Sequence, residues 1–227
     1  PAGLRQGVGG GVAAFPGTGV MSETREAALD AFLRLVGEKG YAAVALRDVA
    51  EAAAMGFAEL YGLFPDKVAL AAAFMARIDA RVLDGVPSCR DPEETARDRL
   101  FDTMMRRYDS LKPYRPALRG LRFAAARNPF LALALSPALH CSMACMLEAA
   151  AIPADGFFGA ARQNGLLAID YAVSGVFHGD DSFDLSKTMA ALDQRLKSAE
   201  RWAQVFEKYA KNIQPTTLIQ GPDSRTS

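Results

Sequence analysis

Histidine occurs twice and cysteine three times in the 227 residues. Those counts leave little for metal ligation or for histidine-based acid–base catalysis. His140, Cys141 and Cys145 lie close together, but zinc needs three or four converging ligands. Buried apolar cysteine is the expectation, with no metal and no cofactor. Odd, unevenly spread cysteines also fit a reducing compartment better than a disulfide framework. Charge of either sign is not in excess: 26 basic residues balance 26 acidic ones, which predicts no broad polyanion-binding surface. No run of about 18 wholly apolar residues occurs, so no membrane span is expected. Phosphate-cradling glycine loops and nucleophile motifs are absent, and no constellation supports an enzyme. A strand period is missing too. Half of the residues are hydrophobic, and their spacing is helical throughout: the fold class is all-α.

Residues 1–20 are glycine-rich and carry a single charge, Arg5. We expect them to be a disordered leader or vector scar, with Met21-Ser22-Glu23 as the natural beginning. Helix one is predicted from Glu23 to Lys39, capped by Ser22 and closed by Gly40. Ala28, Leu29, Phe32, Leu33 and Val36 form its apolar face. Leu46, Val49, Ala50 and Ala53 then recur at helical spacing, as do Phe57, Leu60, Tyr61 and Phe64. Only Ala54-Met55-Gly56 separates the two sets, which predicts two short helices across a tight turn. Phe64-Pro65-Asp66 ends one element and opens the next, Asp66 to Asp84.

The body follows in long helices. Asp91-Pro92-Glu93-Glu94 reads as a cap with proline at the first helical position, leading to Leu111. Further helices are predicted from Pro113 to Arg127, from Asn128-Pro129 to about Ala150, and from about Gly156 to Phe177. After a capping loop, His178 to Asp184, the last helix ends near Asn212. Residues 213–227 read as a frayed tail. The domains are thus a head, 22–70, and a helical body, 71–212.

The pattern L-R-D-V-A-x-x-A followed by L-Y-x-x-F-P-x-K-x-x-L, from about Thr24 to Leu83, resembles the N-terminal domain of TetR-family regulators. The resemblance implies a three-helix helix-turn-helix head, a ligand-binding body and twofold dimerisation through the last two long helices. The residues that hold such a head together are present: Leu60, Tyr61 and Phe64. Those that commonly touch DNA are replaced, with Phe57 where lysine is common, Glu59 for threonine, and Gly62-Leu63 for paired histidines. From Ser22 to Leu70 five basic residues face eight acidic ones, 5 − 8 = −3. Phosphate neutralisation dominates DNA affinity, so this surface argues against tight binding. Arg47, Phe57, Tyr61 and Lys67 are the residues that would meet DNA under a repressor reading.

In the body, Met104, Met105, Tyr108, Phe123, Phe130, Leu131, Leu135, Met143, Met146 and Leu147 supply large, soft apolar volume. Together they can be a helical core or can line an adaptable cavity for an apolar ligand. Arg97-Asp98-Arg99-Leu100 through Lys112-Pro113-Tyr114-Arg115, and Gly179 through Asp184 with Thr188, Leu192 and Arg195-Leu196, are similar to the coenzyme Q (ubiquinone) biosynthesis accessory family. That resemblance implies a non-enzymatic protein that holds an isoprenoid lipid and presents it to a hydroxylase. It also implies a cytoplasmic protein with peripheral contact to the inner membrane. Phe157, Phe158, Trp202 and Phe206 are the candidate partner or membrane surface. The leading expectation is this lipid-binding accessory role. A DNA-binding dimeric repressor released by an apolar effector is the alternative.

Overall fold

The computed structural model describes residues 17–87, 91 and 93–212, with side chains described from 23 to 201 within those spans. Among the described residues there are nine α-helices, two 3-10 turns and no strand. The helices are α1 (Gly17–Lys39), α2 (Leu46–Ala52), α3 (Phe57–Leu63), α4 (Lys67–Asp84), α5 (Ala96–Leu111), α6 (Arg115–Arg127), α7 (Pro129–Ala149), α8 (Gly156–Phe177) and α9 (Ser186–Asn212). The described residues group into two compact units, those up to 81 with 110–142, and those of 82–109 with those from 143 onward.

In the first unit, the apolar side of α1 is buried: Ala28, Leu29, Phe32, Leu33, Leu35 and Val36. The Leu, Phe and Val side chains among them each contribute roughly 1.5–3 kcal/mol when fully removed from water. Gly40 ends the helix with φ 81°, a left-handed conformation that costs glycine nothing, and its N–H bonds the Val36 carbonyl at 3.0 Å. α6 packs closely on α1 because Gly120 has no side chain. A Cβ there would lie 3.0 Å from the Val36 carbonyl oxygen. Arg77 of α4 ties that helix to α1, reaching Glu26 at 2.8 Å and Asp30 at 2.7 Å. Ser142 Oγ donates to Asp79 Oδ1 at 2.6 Å, joining α7 to α4 inside the buried core.

α2 and α3 are joined by a turn without glycine at its critical position. Ala54 takes φ 53°. Its N–H bonds Glu51 O at 3.1 Å, and the Met55 N–H bonds Ala50 O at 3.0 Å. This is a Schellman closure built on alanine, so the turn carries local strain. The same arrangement recurs after α7, where Ala151 has φ 57° and the Ile152 N–H bonds Leu147 O.

In the second unit, α8 packs along α9, with Leu166, Val173, Phe177, Leu185, Leu192 and Leu196 buried. α5 joins them through Tyr108, whose hydroxyl donates to Asp170 Oδ1 at 3.0 Å and whose ring lies 5.2 Å from Phe177. The start of α9 is organised by Asp180, which is fully buried. Its carboxylate accepts from the Thr188 N–H at 2.8 Å, the Thr188 hydroxyl at 2.7 Å, and the N–H and hydroxyl of Ser182. Burial alone would raise its pKa. The hydrogen bonds from Ser182 and Thr188 outweigh burial and hold the carboxyl well below the usual range.

Two helix starts differ most from those expected. α1 begins at Gly17, inside the segment expected to be a leader, so Ser22 lies within the helix rather than at its cap; residues 1–16 lie outside the described residues. α5 starts at Ala96, because Thr95 and Asp98 form the capping pair: the Asp98 N–H bonds Thr95 Oγ1 at 3.2 Å. Asp91 instead closes a separate turn, accepting from the Glu93 N–H at 2.9 Å. The Asn128-Pro129 signal holds as read, with Asn128 Oδ1 accepting from the N–H groups of Phe130 and Leu131.

Candidate nucleic-acid interface and apolar ligand residues

α2 and α3 present one side to the head core and the other to solvent. Val49, Ala50, Leu60 and Phe64 are buried, whereas Arg47, Phe57, Glu59 and Tyr61 are exposed. Neither short helix has a side-chain cap, because Ala45 and Gly56 stand at the positions just before their first residues. Asp48 partly compensates by accepting the Ala45 N–H at 3.1 Å. The outward cluster is continuous. Arg47 lies 5.4 Å from the Phe57 ring, and that ring lies 6.2 Å from Tyr61. Such a surface offers one guanidinium, one phenol hydroxyl and an apolar ring. The first two can bond phosphates and the third can pack on a thymine methyl. α3 carries no cation, and Glu59 sits exposed in its first turn.

Lys67 is the correction in this group. Expected to hold a phosphate, it turns inward: its ammonium donates to Val44 O at 2.7 Å and Tyr41 O at 2.9 Å, 4.4 Å from the Tyr41 ring. Burial pushes its pKa down. Arg25, the other cation beside α3's end, stacks on the Phe64 ring at 4.6 Å. Neither role was visible from spacing, because both depend on a long side chain folding back across the head.

The ten expected ligand residues are divided between the units. Phe123, Phe130, Leu131 and Leu135 belong to the first, and Met104, Met105, Tyr108, Met143, Met146 and Leu147 to the second. Eight are buried. Phe123 and Phe130 are not: they are 60% and 82% exposed, so they wall no cavity within their unit. Of the expected partner surface, Phe157 and Phe158 are 84% and 72% exposed and stack edge-to-face at 5.6 Å. The side chains of Trp202 and Phe206 lie outside the described residues. His140 Nδ1 is 2.9 Å from the Ser136 carbonyl one turn earlier; Cys141 is exposed and Cys145 half-buried, rather than buried as expected, and neither is in a disulfide.

Residues 28–74 match the family described as bacterial regulatory proteins, tetR family. The fold is similar to that of a TetR transcriptional regulator from Nitrosomonas europaea ATCC 19718, at 22% identity and TM-score 0.62, covering 78% of this chain and 97% of that one. It is also similar to a TetR transcriptional regulator from Rhodococcus sp. RHA1, at 23% identity and TM-score 0.50, covering 77% and 96%. Nothing among curated proteins matches the chain. The all-α chain thus has a TetR-like fold with a TetR-family N-terminal domain.

Proposed function

We propose that the chain is a non-enzymatic, TetR-like DNA-binding regulator that acts as a dimer and responds to an apolar effector. The observation that carries this reading is the outward Arg47–Phe57–Tyr61 cluster on the helix-turn-helix of a TetR-family head. α3 would enter the major groove while Arg47 and Tyr61 bond the flanking phosphates. The effector would bind among the methionines of the body and favour one spacing of the two heads. Exposed Tyr171, Val176 and Met189 on α8 and α9 supply apolar area for the twofold contact.

With a net head charge of −3, phosphate contacts should be few, and affinity should rest more on fit than on counterion release. Titrating duplex DNA across a range of salt concentrations tests this. A shallow slope that falls by about 0.9 with Arg47→Gln is expected. A slope that Arg47→Gln leaves unchanged would overturn the assignment of the interface.

A second reading is favoured by the lack of any cation on α3 and the exposed Glu59. In it, the head is a retained scaffold and the protein is an isoprenoid-binding accessory of ubiquinone biosynthesis. Organic extraction of purified protein separates the two: stoichiometric isoprenoid lipid with no DNA binding would favour the accessory role.

A further inference from the structure

α3 is poor in hydrogen-bond donors. Of its seven residues only Glu59 and Tyr61 have polar side chains, and only the Tyr61 hydroxyl can donate. α2 adds Arg47, which stands beside the Phe57 ring. In the major groove guanine shows two acceptors, N7 and O6, and is ordinarily read by arginine or lysine. Adenine is ordinarily read by asparagine or glutamine, through one acceptor and one amino group. α3 has neither kind of side chain.

What α3 does offer is an acceptor. Glu59 is exposed in its first turn, and among the described residues no hydrogen bond or ion pair engages its carboxylate. At about 100° per residue, Ala58 and Gly62 point away from the buried Leu60, with Glu59 and Tyr61 flanking them. A Cβ at Gly62 would meet nothing within 4 Å, so the packing of the head does not call for glycine there. With only a methyl at Ala58 and nothing at Gly62, this face of α3 can approach a groove floor closely and bring a short carboxylate to base edges.

We infer that Glu59 reads a base and that the base it selects is cytosine. This rests on the DNA-binding reading above. A carboxylate only accepts, so its possible partners in the major groove are the amino groups of cytosine and adenine. Adenine sets the N7 lone pair beside its amino group, which repels a carboxylate. Cytosine sets a C–H there. The charge of Glu59 opposes every duplex alike, whereas its hydrogen bond forms at one base. Glu59 therefore lowers overall affinity and sharpens the choice between sequences. An acid in the first turn also suits the helix dipole, but that role shows in stability and leaves base preference alone.

Selection of duplexes with randomised half-sites by the full chain tests the inference, run in parallel with Glu59→Ala and Glu59→Gln. The unmodified protein should enrich a site with cytosine at one position in each half. Glu59→Ala should make that position indifferent. Glu59→Gln, which keeps an acceptor and gains a donor, should admit adenine there while binding more tightly overall. In the enriched site, 2-pyrimidinone in place of that cytosine removes only the amino group. The replacement should weaken the unmodified protein about fivefold more than it weakens Glu59→Ala. Equal weakening of the two, or a base preference that Glu59→Ala leaves unchanged, would overturn the inference and leave the regulator reading standing. A fall in the urea midpoint of Glu59→Ala with no change in preference would likewise overturn it, giving Glu59 the dipole role alone. No enriched site for the unmodified protein would overturn the regulator reading and this inference with it.

Discussion

Lys67 donates its ammonium to the Val44 carbonyl at 2.7 Å, fastening the start of α4 to the segment that leads into α2. With Tyr41 O as a second acceptor, the side chain satisfies two backbone carbonyls of the segment between α1 and α2. Lys67→Met should therefore cost about 1–3 kcal/mol of stability while leaving the salt dependence of DNA binding unchanged. Urea unfolding and a salt titration on the same variant check both halves.

Ala54 occupies the left-handed position of the α2–α3 turn, where an L side chain costs about 1–2 kcal/mol. Ala54→Gly should raise stability by about 0.5–1 kcal/mol, the relief being partly offset by the greater freedom of glycine in the unfolded chain. The urea midpoint should rise with no change in slope.

Asp180 gives the second unit its acid sensitivity. Its folded carboxyl is held below the unfolded value of about 3.9. The stabilisation is therefore fully present above that pH and is lost as pH falls through the folded pKa. Asp180→Asn should flatten the fall in stability below about pH 4. Thr188→Val, which removes one hydroxyl donor to the carboxylate, should cost about 1.5–3 kcal/mol near neutrality. Denaturation midpoints across the acid range distinguish the two effects.

Glu59 is exposed in the first turn of α3, where it would repel DNA phosphates. Glu59→Gln should raise affinity for any duplex by several-fold, roughly the effect of removing one like charge near the surface. The gain should shrink as salt rises. Filter binding at two salt concentrations measures it.

The head was largely legible in the sequence because each of its helices has one apolar side. Val49 and Ala50, then Leu60 and Phe64, could point only to one core. The Asn128-Pro129 start was legible because a local cap and a proline act within one turn. α5 was misplaced because Asp91 and Thr95 are both good caps, and the Thr95–Asp98 pair fixes the second. Phe130 was misread for a different reason. α7 is apolar on nearly every side, so periodicity cannot tell the Leu131–Leu135 side from the Phe130–Leu133 side. Only the packing of α7 against its neighbours does. Lys67 was misread because a flexible four-carbon stem leaves its destination open until the fold surrounds it.

The most direct measurement is a selection of genomic fragments by purified protein at near-physiological salt, followed by sequencing of the bound DNA. Enrichment of one palindromic site, weakened by Arg47→Gln or Tyr61→Ala and retained by a folded Lys67→Met variant, is the predicted result. No enrichment above a charge-matched control protein would contradict the regulator reading and leave the head as a scaffold.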